Sequence, residues 1–274
     1  MRNVIEELKT LGIVCEEKQV EKNGVEFNGL CIMNIDSNMK PVVYRNDLES
    51  DEDYIKKICN VFQDEVTRSK FFDMQVVLSE KFFLDNATVM IQKKSTQDFV
   101  KREVLDLEAI LAIVVDEDLE ESGLATIKVT RQMLDVVGVD EDVLWEKAYD
   151  NYAEHIKIES LDSFLEFDSF TEPPFLYVLT TDIKMHGAAA LANPDILKNF
   201  CEENEISDLT IIPSSIHELL IIPESMDEQF LRNTAALVNE VNSSTVTRTE
   251  QLNPVVYTYD LESNSIVLAA THLG

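Results

Sequence analysis

The sequence predicts an α+β protein with mainly antiparallel sheets and packed helices. Hairpin signals stand near both ends of the chain and enclose a stretch of helical patterns, and strands and helices do not alternate in regular βαβ order. A chain of 274 residues, of which 45% are hydrophobic, is long and apolar enough to bury a large core.

The N-terminal part predicts a hairpin followed by a helix. Two strand-like runs, 14–22 and 25–35, flank Asn23-Gly24, a pair that suits a type I′ turn because both residues tolerate positive φ. Ser50 and Asp53 then have the spacing of a capping box, and apolar residues follow them at helical spacing.

The remaining apolar segments predict several strands, while 82–91 suits either a strand or a helix. Ser225 and Glu228 have the spacing of a second capping box and predict the start of a long helix. Strands are expected at 105–115, 175–179, 209–212, 219–222, 255–259 and 265–269.

The chain is interpreted as one family-like unit, 1–274, and its pattern also allows two lobes, 1–154 and 173–274. The lobes would be joined by 155–172, a mixture of Asp, Ser, Glu and Phe without clean periodicity. That segment ends at Pro173-Pro174, which disfavours a helix there.

The charge is the compositional outlier. Fifty-two acidic against 23 basic residues give a formal net charge of -29. Such a surface repels phosphate backbones and anionic lipid, so neither nucleic acid nor membrane is an expected partner. An acidic mimic of nucleic acid is an alternative, but the acids alternate with apolar residues instead of forming long tracts.

The cysteines and the chain start predict a cytoplasmic protein. Cys15, Cys31, Cys59 and Cys201 lack metal-binding spacing and are expected to be reduced thiols. The first residues reach an acidic pair before any apolar run, so we expect no signal peptide, and the run 109–115 is too short to span a bilayer.

The segment from Ser214 to Glu218 contains the residue types of a nucleophile, a base and an orienting acid. If it is extended, Ser215 and His217 share a face roughly 6.6 Å apart, and Glu218 points to the other face. This spacing favours a structural turn. A ligand-binding loop formed by Ser214, Ser215, His217 and Glu218 is the alternative, and we predict no catalytic residue.

His186 is the remaining candidate ligand-binding residue, because it and His217 both flank strand ends and could meet in space. Neither histidine belongs to an HExxH pair, so no metal site and no cofactor is expected. The small residues at 187–190 lack the spacing of a phosphate loop and predict close packing against a sheet.

Several segments together resemble an uncharacterised bacterial family, a domain of unknown function found in anaerobic Firmicutes. These segments are the Asn23-Gly24 hairpin, 105–115, 136–151 with Trp145, 176–180, 187–189, 212–218 and 238–242. The resemblance covers most of the chain outside 84–104, and the Pro-Ser-Ser-Ile-His-Glu segment at 213–218 is its most specific part. It implies a bacterial, cytoplasmic protein and transfers no functional residues.

The sequence favours a non-catalytic cytoplasmic binding or regulatory protein. The reason is that no group of residues has catalytic spacing, although the regular elements are well specified. A hydrolase or metal-dependent enzyme centred on His217 and Glu218 is the first alternative, and the acidic mimic is the second. The partner is left open, and another protein is one possibility.

Overall fold

The computed structural model describes residues 2–35, 40–45, 49–68, 74–118, 123–165 and 174–272. The chain divides into two compact units, Met1–Gln75 and Val76–Gly274. The described strands form three antiparallel sheets with helices, which confirms the predicted α+β class. None of the described helices is both long and apolar enough to cross a membrane.

The first unit is a three-stranded sheet with helices. Asn23 (φ 49°) and Gly24 (φ 75°) form the predicted turn. The buried Tyr54 hydroxyl donates to the Val43 carbonyl over 2.7 Å, which ties the second helix to the third strand. The elements are α1 (Arg2–Thr10), β1 (Cys15–Lys22), β2 (Val25–Ile32), β3 (Val42–Tyr44) and α2 (Asp51–Arg68), with strand order β1-β2-β3.

The second unit contains the other two sheets. One has the order β4-β6-β5, with β7 also pairing β6, and the other has the order β13-β12-β10-β11-β9-β8. The strands are β4 (Ala87–Lys93), β5 (Lys101–Val104), β6 (Leu107–Asp118), β7 (Gly123–Lys128), β8 (Ile156–Ser160), β9 (Tyr177–Thr181), β10 (Asp208–Pro213), β11 (Leu219–Ile222), β12 (Val255–Asp260) and β13 (Ser265–Thr271).

The helices of the second unit pack against these sheets. They are α4 (Glu80–Asn86), α5 (Arg131–Val137), α6 (Glu141–Glu154), α7 (Leu161–Phe164), the 3-10 helix (Gly187–Ala192), α8 (Pro194–Asn204) and α9 (Glu228–Ser244). A short helix, α3 (Met74–Val77), contains the last residues of the first unit and the first residues of the second. The ambiguous run 82–91 contains both kinds of structure, since α4 passes directly into β4.

Two sequence predictions differ from the structure. Helix α9 begins at Glu228 because the Asp227 carboxylate accepts from the Phe230 N–H, so Ser225 is not its cap and the predicted capping box is wrong. Part of the expected linker 155–172 is regular structure, because β8 pairs with β9 and α7 follows it. The two lobes proposed from the sequence stay a prediction, and residues 166–172 of the segment lie outside the described residues, as does Pro173.

The 3-10 helix lies very close to strand β9. A Cβ atom added to Gly187 would lie 2.5 Å from the Thr180 Cα and 2.6 Å from the His217 carbonyl oxygen. Both neighbours are backbone atoms, so no side chain can move aside. Close packing at the small residues 187–190 is confirmed, since Gly187, Ala188, Ala189 and Ala190 are all buried.

We expect Gly187→Ala to destabilise the protein by about 3 kcal/mol, the upper end for overpacking, because the added methyl group meets only backbone. Gly138→Ala is the matched control: Gly138 has φ 78° and open space around it, so only backbone strain of about 1 kcal/mol is expected. Urea unfolding measures both, and equal losses would contradict the steric account.

Candidate functional site

The segment between β10 and β11 is a turn whose serine hydroxyls bond locally. The Ser214 hydroxyl donates to Glu218 Oε1 over 2.9 Å. The Ser215 oxygen accepts from the His217 backbone N–H over 3.0 Å. Both serines therefore have partners other than the imidazole, and Glu218 contacts a serine and not His217. Ligand binding by these residues stays a prediction.

His217 holds the 3-10 helix against the sheet. Its carbonyl accepts from the Gly187 N–H over 3.0 Å and from the Thr180 hydroxyl over 2.8 Å. Its Nδ1 accepts from the backbone N–H of His186 over 3.2 Å, which requires an unprotonated Nδ1. The ring proton therefore lies on Nε2, the atom that faces Glu250 Oε1 at 3.7 Å.

The two histidines meet, as the sequence predicted. Their ring centroids lie 5.5 Å apart with the ring planes inclined by 55°. His186 has φ 59°, a left-handed conformation that costs a non-glycine residue energy and that is frequent at functional sites. Its carbonyl accepts from the buried Tyr152 hydroxyl over 3.0 Å, so both backbone groups of His186 are bonded.

His186 lines a cavity of about 220 Å³. One wall is the segment 85–90, which includes β4, the outermost strand of its sheet among the described strands. Another wall is formed by the end of β9 and the loop after it, and a third by the C-terminal end of α6 with its capping residue. The lining residues there are Thr181, Asp182, Ile183, Met185 and His186, and Asn151, Tyr152 and His155. We refer to this space as the His186 cavity.

The imidazole of His186 is neutral and incompletely bonded. Its Nδ1 is closed to solvent, and none of the described residues bonds to it. Burial above all, then the His217 ring and the Lys128 ammonium, lower the pKa of His186 from 6.5 to about 4. A buried polar atom without a partner costs about 1–3 kcal/mol, so a ligand group that hydrogen-bonds to this nitrogen would be stabilised.

A second imidazole lies at the same cavity. His155 Nδ1 is 2.9 Å from Asp182 Oδ2, and both side chains are partly exposed. The Asp182 backbone N–H also donates to the His155 carbonyl over 2.9 Å. This pair orients the ring of His155 beside the cavity.

Sequence reasoning missed Tyr152, His155 and Asp182 as site residues. His155 stood at the start of the expected linker, and its contact with Asp182 spans 27 residues of chain. Tyr152 lies on the buried face of α6. No local signal in the sequence connects these residues to His186, because each contact depends on how β8, β9 and α6 pack.

The described residues around the His186 cavity do not form a set of metal ligands. Within the part of the chain that the structure describes, no three His, Cys, Asp or Glu residues are grouped so that they could hold a metal ion.

The comparisons with known proteins give one match. A family model described as a family of unknown function, DUF5688, matches residues 1–261. No curated protein matches the chain, and no solved structure matches it.

His186→Asn tests the neutral imidazole, because asparagine tolerates positive φ and does not titrate. The pKa of His186 is lower in the folded than in the unfolded chain, so its contribution to stability is complete above pH 6.5 and is lost as the pH falls toward 4. We therefore expect the wild type to lose up to about 3 kcal/mol more than the variant between pH 7 and pH 4. Urea unfolding across this range measures the difference, and parallel stability curves would contradict a buried neutral ring.

Proposed function

The chain belongs to a family of unknown function, DUF5688, and we propose that this protein is a binding protein that holds a small ligand in the His186 cavity without converting it. The proposal covers a regulatory use of the same site, in which occupancy by the ligand is the signal. This role requires no chemical change in the ligand.

The observation that carries the proposal is an accessible cavity lined by His186, whose buried Nδ1 has no hydrogen-bond partner among the described residues. The protein holds this residue on strained backbone and keeps its ring neutral and buried, three features that oppose stability. Features of this kind persist where they serve binding. Nδ1 itself is closed to solvent, so a ligand reaches it only when the ring turns about the Cβ–Cγ bond.

The hydroxyl groups near the cavity support binding more than catalysis. The Thr181 hydroxyl donates to the Met185 carbonyl over 2.7 Å and accepts from the Met185 N–H over 3.1 Å. The Tyr152 hydroxyl is shared between the His186 and Gly187 carbonyls, and burial raises its pKa. Neither is available as a nucleophile in this arrangement.

The two alternatives have weaker support. A hydrolase centred on His217 and Glu218 that used a serine nucleophile would need a serine hydroxyl at the imidazole. Ser214 instead bonds to Glu218, and Ser215 bonds to the backbone. The hypothesis of an acidic mimic of nucleic acid is supported only by the net charge of -29.

Methyl NMR with methionine labelling tests the proposal. Met90 and Met185 line the His186 cavity, whereas Met226 packs against a separate cluster around Leu231. In a screen of chemically diverse fragments, we expect binders to shift the Met90 and Met185 methyl signals and to leave Met226 unchanged. A bound ligand should be recovered chemically intact after long incubation.

Ile183→Trp places a large side chain at the cavity wall and should abolish these shifts. Val136→Trp is the matched control, since it adds the same bulk at an exposed position on α5. The proposal is wrong if no fragment shifts Met90 and Met185, or if the shifts persist unchanged in a folded Ile183→Trp protein.

We also propose that the protein works in the bacterial cytoplasm. The support is that Cys15, Cys31, Cys59 and Cys201 are all free thiols, as expected in a reducing compartment. Titration of the protein purified without reductant and then unfolded should find four thiols per chain. A lower number would count against this compartment.

A further inference from the structure

The side-chain donors around the His186 cavity are largely engaged within the protein. The Asn151 amide nitrogen donates to the Leu84 carbonyl over 2.9 Å and to the Ala87 carbonyl over 3.0 Å. The Asn86 amide nitrogen donates to the Phe82 carbonyl over 2.9 Å. The hydroxyls of Thr181 and Tyr152 donate to backbone carbonyls as well. A ligand therefore finds few of these donors open.

Acceptors remain at the same walls. Asn86 and Asn151 bond to the protein through their amide nitrogens. Each of these amide groups also has an oxygen, which can accept a hydrogen bond. Asp85 and Asp182 each use Oδ2, toward Lys81 and His155 respectively, and each has a second carboxylate oxygen. Both aspartates are partly exposed, so a ligand can approach them.

The charges at the cavity favour a cation. The lining residues include the two aspartates and neither lysine nor arginine, and His186 adds no positive charge at neutral pH. Two lysines lie near the lining: Lys81 pairs with Asp85, and the Lys128 ammonium acts on His186. The surrounding surface adds a field of the same sign, since the chain carries a formal net charge of -29. An anion would meet repulsion and few donors in this space.

Apart from Thr88, the remaining lining residues are apolar, and the space is small. A volume of about 220 Å³ lies below the usual range for sites that hold drug-sized molecules. A short aliphatic chain can bury itself against the partly exposed apolar side chains, which are Met90, Val114, Leu124, Ile183 and Met185.

We infer that the ligand of the His186 cavity is a small organic cation, an aliphatic primary amine with a short apolar chain; this inference rests on the proposed function. The ammonium group donates to the oxygens of Asp182, Asp85 and the two asparagines. The apolar chain packs against the methionines and aliphatic residues.

Three probes of the same chain length test this inference: n-butylamine as its ammonium ion, n-butanol and butyrate. Their dissociation constants are measured from the Met90 and Met185 methyl shifts at neutral pH. We expect butylammonium to bind about tenfold or more tightly than butanol, the effect of a charge-assisted hydrogen bond, and butyrate to bind most weakly.

Asp182→Asn should weaken butylammonium binding about tenfold and leave butanol binding unchanged. Asp135→Asn is the matched control, because it removes one negative charge at an exposed position on α5 outside the cavity lining. It should leave the selectivity for the cation intact, apart from a small effect that added salt removes.

The outcomes separate this inference from the proposed function. If butanol or butyrate binds at Met90 and Met185 as tightly as butylammonium, the ligand is not a cation, but the cavity is still a binding site. If Asp182→Asn and Asp135→Asn weaken butylammonium binding equally, the ammonium group does not contact Asp182. If neither these probes nor any fragment of the diverse screen binds, the proposed function fails as well.

Discussion

The structure around the candidate site depends on one close approach between backbone segments. Gly187 lies against Thr180 of β9 and the carbonyl of His217, with no room for a Cβ atom. Hydrogen bonds to the carbonyls of Ile216 and His217 fix the start of the 3-10 helix at this distance. Because the helix is held there, the residue before it must enter with positive φ, and that residue is His186.

This constraint explains the state of His186. Its N–H bonds to the ring of His217 and its carbonyl to Tyr152, so the backbone cannot relax away from the strained conformation. The imidazole is thereby held beside a second ring, near enough to the Lys128 ammonium to feel its charge, and its Nδ1 is closed to solvent. Burial and neighbouring positive charge both favour the neutral ring. A neutral imidazole beside a cavity can hydrogen-bond a ligand without reacting with it.

Local patterns in the sequence were enough to predict most of the strands and helices. The Asn23-Gly24 turn, the buried strand within 105–115 and the strands on either side of Ser214 follow from turn chemistry and apolar runs. Local patterns failed where competing groups stand close together: Asp227 caps α9 although Ser225 has the expected spacing, because its carboxylate is nearer the first turn. They also failed for 155–172, since a short polar strand is stabilised by the strand it pairs with, here β9.

The candidate site was predictable only in part. The meeting of His186 and His217 could be expected from strand ends that lie at the same edge of a sheet. The cavity could not, because it is formed by β4, α6 and the loop after β9, which come together only through tertiary packing.

The most direct test of this account follows the ring nitrogens of His186 by ¹⁵N NMR as the pH is lowered. The account predicts a neutral ring down to a midpoint near pH 4, since the pKa of His186 is about 4. A midpoint at or above the ordinary value of 6.5 would show a solvated or paired imidazole and would contradict the account.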